Sequence, residues 1–125
     1  MSLDVYLYDQ EDELTTHRCS CGNEHQLRER RQLFSANITH NLGRMASEAG
    51  IYEALWRPDE HGITKAKQVG DAIEKGLVLM RADPLRFCAQ DAANGWGKFD
   101  DFVPWLENYL RACREHPEAL VEVSR

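Results

Sequence analysis

Strict alternation at both ends of this chain limits the folds open to it. Near the start, Leu3, Val5 and Leu7 alternate with Asp4, Tyr6 and Tyr8, the period of two of a half-buried strand. Near the other end Leu120 to Arg125 alternates again. Between them the apolar spacing is mostly helical. The pattern predicts an α+β fold: a small antiparallel sheet of N- and C-terminal strands plus a hairpin, packed by three or four helices. At 125 residues the chain is expected to be one domain, 1–125. Within it, 14–34 would be the hairpin, 35–116 the helical part and 119–125 the closing strand.

The acidic run Asp9-Gln10-Glu11-Asp12-Glu13 is expected to end the first strand, and the hairpin to turn at Cys21-Gly22-Asn23. The first helix is expected to start at Ser35 or Asn37, both good N-caps, and to stop at Gly50. On it Phe34, Ile38, Leu42, Met45, Ala46 and Ala49 would form the buried arc. Ile51 to Trp56 is too apolar for a free loop. Thr64 would cap a second helix that ends by Asp83, and Asp83-Pro84 would open a short third one. Asp100 or Asp101 would cap the last helix, with Pro104 in its first turn, where amides have no helical partner. His116-Pro117 ends it.

Net charge decides against some partners. At −6 the chain has no general attraction for nucleic-acid phosphate. No apolar run approaches the ~20 residues of a membrane span. The start, Met-Ser-Leu-Asp-Val-Tyr, lacks the pattern of a signal peptide, so the expected compartment is cytoplasmic, with reduced thiols.

Three constellations carry chemistry. His17, Cys19, Cys21 and His25 are candidate ligands of a structural zinc, the only cofactor the sequence suggests. Their spacing argues against it, because the two cysteines are separated by one residue rather than two to four, and the alternative is a reduced hairpin with ordinary thiols. Asn37, His40, Asn41 and Arg44, at i, i+3, i+4 and i+7, would line one helix face with amides, a switchable imidazole and a cation. Such a stripe suits a polar or anionic ligand, or else is a solvated face with Asn37 as an N-cap and Asn41 bonded to a neighbouring loop. Third come Trp56-Arg57-Pro58 and Asn94-Gly95-Trp96-Gly97, in which a Trp between two glycines either plugs the core between two helices or approaches a ligand and stacks on it.

The motifs Asn37-Ile38-Thr39-His40-Asn41, Leu55-Trp56-Arg57-Pro58 and Asn94-Gly95-Trp96-Gly97 resemble a family of small uncharacterised proteins of phages and prophage-bearing bacteria. The likeness runs from Ser35 to the closing strand, about three quarters of the chain, and takes in the N-terminal strand. The hairpin has no fixed form in that family. The resemblance implies a phage context, hence a host-cell cytoplasm, and implies that the three segments belong together.

Asn37, His40 and Asn41 then read as one wall of a polar pocket that Arg44, Trp56, Arg57 and Asn94 complete, with Trp96 as lid. The expected function is an accessory protein that binds a polar small ligand, nucleotide-like among the choices, or a host protein, in counter-defence. One alternative is a small enzyme with His40 as general acid/base and Glu48, Glu53 or His61 as its titratable partner. Another is a protein-interaction module, which can include a homo-oligomer.

Overall fold

The computed structural model describes residues 2–18, 24–91, 95 and 97–125, and for residues 10–31 it describes backbone alone. Strands β1 (Ser2–Arg18) and β2 (Glu24–Thr39) form one long antiparallel ribbon. The 3₁₀ turn His40–Leu42 leads into α1 (Gly43–Glu48) and α2 (Tyr52–Trp56). A second 3₁₀ turn, Pro58–His61, precedes α3 (Ala66–Ala82), α4 (Pro84–Cys88) and α5 (Phe99–Glu115). Strand β3 (Leu120–Ser124) closes the sheet in the order β2-β1-β3. The α+β architecture and the pairing of the two chain ends are those the alternation predicts.

Alternation explains the sheet. Leu3, Val5 and Leu7 are completely buried, opposite Ile38, Ala36 and Phe34 of β2. On the other side Val5 and Leu7 face Val123 and Val121 of β3. Side chains on opposed residues share a face, so these apolar columns meet the helices together. Asp4, Tyr6 and Tyr8 point the other way, with the two tyrosine rings stacked at 6.1 Å.

Two boundaries of the sheet differ from expectation. The acidic run does not end β1, which continues to Arg18, so the first strand and the hairpin are a single ribbon. Nor does a helix begin at Ser35 or Asn37, because β2 runs to Thr39 and the helical part starts at His40. Phe34 and Ile38 fit a period of two as well as a period of four. Ala36 between them and β-branched Ile38 and Thr39 tip the segment to strand. Thr39 makes the turn, its hydroxyl accepting the Asn41 N–H at 3.3 Å. Gly50 stops α1 as expected, at φ 76°.

Helices α3 and α5, each of 17 residues, pack antiparallel. Gly70 makes the approach close, since a Cβ there would lie 3.1 Å from Cys113 Cβ. Thr64 is not the N-cap of α3. Instead Gln68 Oε1 accepts the N–H groups of both Thr64 and Lys65, at 2.9 and 3.0 Å. α5 begins one to two residues before the expected caps, and its Phe99 N–H donates to Asp91 Oδ1 at 2.8 Å. Pro104 therefore sits in the second turn rather than the first. The outer edge of β2 is blunted by α5: Trp105 Nε1 donates to the Asn37 carbonyl at 3.0 Å. Among the described residues no helix is long and apolar enough to cross a membrane.

Among the described side chains, one buried polar group is left unsatisfied. Tyr109, fully buried between Phe34 (5.5 Å, stacked) and Trp105 (5.6 Å, edge-on), has a hydroxyl with no hydrogen-bond partner. Burial pushes its ionisation well above the usual tyrosine range. An unpaired buried hydroxyl costs roughly 1–3 kcal/mol. Tyr109→Phe is therefore expected to leave stability unchanged or raise it by about 1 kcal/mol in urea denaturation, and a loss beyond that would mean the hydroxyl has a partner.

Candidate functional site

The expected polar stripe does not exist as one helix face, because its members fall on three elements. Asn37 lies on the outer face of β2, where its Nδ2 donates to Asp4 Oδ1 at 2.6 Å and to Ser2 Oγ at 2.9 Å. It ties β2 to β1. His40 opens the 3₁₀ turn and its Nδ1 accepts the Trp56 indole N–H at 2.8 Å. That bond fixes the imidazole proton on Nε2 and occupies the nitrogen a base would use. Trp56 is only 3% exposed and stacks on Tyr52 at 5.4 Å, so little of its ring is available to a ligand. Arg44 is exposed on α1, on a different element from both.

Among the described residues, those expected to partner His40 form no hydrogen bond with it. Glu48 is bound by Arg86 through Nε at 2.7 Å and through Nη2. Glu53 and His61 are exposed, and among the described residues the hydrogen-bond partner of His40 is Trp56. Cys113 is completely buried and its thiol is pushed up to about 12 by that burial, far from a reactive thiolate.

One expected association does appear. Gly97, at φ 114°, is pressed against the His40 turn, and a Cβ there would stand 3.1 Å from Asn41 Cβ and 3.3 Å from Leu42 Cγ and Thr39 Cγ2. The glycine motif and the Thr39–Leu42 segment thus touch. Asn94 and Trp96 lie outside the described residues, as do Cys19 and Cys21. His17 and His25 are directly opposed in the β1–β2 backbone register. Among the described side chains no three of His, Cys, Asp or Glu gather as a metal site.

A concave feature among the described residues lies elsewhere, beside β3. The chain from Lys65 pairs with Leu120, so that Val121 N–H donates to Thr64 O at 3.0 Å and Ala66 N–H to Ala119 O at 2.9 Å. Beyond Thr64 the two segments splay apart. Thr64 N–H turns to Gln68, Ile63 N–H turns to Pro58 O at 3.0 Å, and Gly62 takes the left-handed bend at φ 69°. Arg125 bridges the far end, with Nη1 donating to Trp56 O and to Asp59 Oδ1, both at 2.9 Å. The fork encloses a cleft of about 520 Å³, with Pro58, Asp59, Ile63 and Thr64 on one wall and β3 from Leu120 to Val123 on the other.

Only the Trp56-Arg57-Pro58 motif pointed here. Pro58 lines the cleft, and the Trp56 carbonyl anchors Arg125 while its indole holds His40. Arg57 faces Glu60 at 2.7 Å, and hydrogen bonds to Glu60 and Tyr52 hold it charged. Ile63, Thr64, Val121 and Val123 gave no warning, since aliphatic and threonine residues become a site only through topology. Comparison of the chain with family models, with curated proteins and with solved structures gives no match.

Two outcomes follow from these bonds. His40→Ala leaves the buried indole N–H without its acceptor. It is expected to cost about 1–2 kcal/mol in thermal or urea unfolding and to change Trp fluorescence. The Arg125 hydrogen bond holds the Asp59 carboxyl below its ordinary 3.8, so this pair stabilises the fold above that pH and the benefit is lost as pH falls below it. The stability difference between wild type and Arg125→Ala is therefore expected to shrink in acid melts below about pH 4, and a constant gap would remove the link.

Proposed function

We propose that the protein is a small binding protein whose cleft between β3 and the Pro58–Thr64 segment holds a polar small ligand. It would act as an accessory factor of the kind its resemblance to phage and prophage proteins implies, in counter-defence. The observation that carries the reading is the fork. Its volume of about 520 Å³ lies within the 300–1,000 Å³ typical of small-molecule sites. It combines apolar walls with a few fixed polar groups, the usual make-up of such a site. His40 supports the site from behind through Trp56 rather than by proton transfer.

A host-protein contact, another reading the sequence left open, finds support at the α3–α4 corner. There Val78, Leu79 and Leu85 are 66%, 40% and 83% exposed.

Filling the cleft tests the main reading. Ile63→Trp is expected to preserve folding while removing the chemical-shift changes that a library of small polar fragments produces at Ile63, Val121 and Val123. Fragments that shift none of these amides in the wild-type protein would sink the proposal.

A further inference from the structure

The floor of the cleft is a short, unpaired length of strand edge, and its hydrogen-bonding pattern is specific. Val121 N–H points away from β1, to Thr64. By the period of two, the Val121 carbonyl and both the N–H and carbonyl of Val123 point the same way, into the fork. The natural partner of the Val121 carbonyl, Thr64 N–H, has been captured by Gln68. Among the described residues nothing pairs with these three groups. They present acceptor, donor and acceptor in sequence. Backbone groups left inside a cleft are the ones a ligand satisfies.

The ends of the fork say which ligand. A peptide adding as a further strand would have to run on past Val121, where Thr64 already occupies the pairing position. In the other direction it would meet the Arg125 side chain, which crosses to Asp59 and the Trp56 carbonyl. The open edge is therefore one strand step long. Ile63 and the edge of the buried Pro58 supply its apolar lining, and Asp59, Glu122 and Arg125 line the same cleft, with Asp59 and Arg125 paired to each other. A flat ring with a donor beside an acceptor on one edge meets all of these conditions.

From this, and resting on the proposed binding role, we infer that the cleft reads a nitrogen heterocycle of the aminopurine type by its edge. The exocyclic N–H donates to the Val121 carbonyl and the adjacent ring nitrogen accepts from Val123 N–H. The ring faces lie against Pro58 and Ile63. The Val123 carbonyl takes a second donor where the heterocycle carries one. Recognition is by backbone, so it needs none of the side chains that ordinarily mark a base-binding site.

The experiment is an amide chemical-shift titration of the full chain with adenosine, purine riboside and N6,N6-dimethyladenosine. Adenosine is expected to shift the Val123 and Ile63 amides, and the two analogues lacking the donor to bind about tenfold more weakly. Val123→Pro removes the outward N–H without touching the β1 ladder, and it is expected to abolish the adenosine response. Val123→Ala, the packing control, is expected to retain it. Equal affinity for adenosine and purine riboside, or shifts away from the fork, overturns the inference. That comparison uses native protein and stands even if the proline variant fails to fold. If other polar fragments shift the fork amides and no aminopurine does, edge reading is wrong and the binding role survives. If no fragment does, both fall.

Discussion

The fold depends on β1 lying in the middle of its sheet. Leu3, Val5 and Leu7 are the one apolar column that both β2 and β3 need, and all three are fully buried. A slip of one residue on either side would turn the apolar column outward, so burial fixes the register on both sides at once. The central position also creates the cleft. Because β2 occupies one side of β1, β3 is left as the edge, and an edge is where backbone groups remain to be used.

How the two edges are treated is the main asymmetry of the molecule. On β2 the Asn37 carbonyl is taken by an indole from α5. On β3 the chain itself returns at Thr64–Ala66, then departs after one bridge, and Arg125 closes the far end. Both devices limit strand addition. The ion pairs around them are exposed, like Arg114 with Asp71 and Glu74, and pairs of that kind contribute little on their own. Close packing at Gly70 against Cys113, and at Gly76, where a Cβ would come within 2.5 Å of Ile51 Cγ2, holds the helices more firmly.

Element types were largely legible in the sequence, while the junctions between them were not. The terminal alternation located β1 and β3, and Gly50, Asp83-Pro84 and His116 marked true helix ends. The error at Ser35–Thr39 was a genuine ambiguity of period, since Phe34, Ile38 and Leu42 fit either structure until Ala36 is counted. That error moved Asn37, His40 and Arg44 off a common face. The cleft was illegible for another reason. The groups it leaves open are the Val121 carbonyl and the N–H and carbonyl of Val123, the first because a glutamine four residues beyond Thr64 takes that threonine's N–H. Side-chain chemistry cannot announce a backbone site, and only the Trp56-Arg57-Pro58 motif lay beside it.

The β1–β2 register changes between Leu7 and Tyr8 and again before Asp12, with Leu7 opposite Phe34, Tyr8 opposite Gln32 and Asp12 opposite Arg30. Three residues of β1 are spanned by a single residue of β2 in the last interval. A ladder interrupted this way does not pass the core's inside–outside alternation to the residues beyond it. Leu3, Val5 and Leu7 all lie on the near side of that interruption, so the register that holds the core, against Ile38, Ala36 and Phe34 and against Val123 and Val121, is set before the outer ribbon begins.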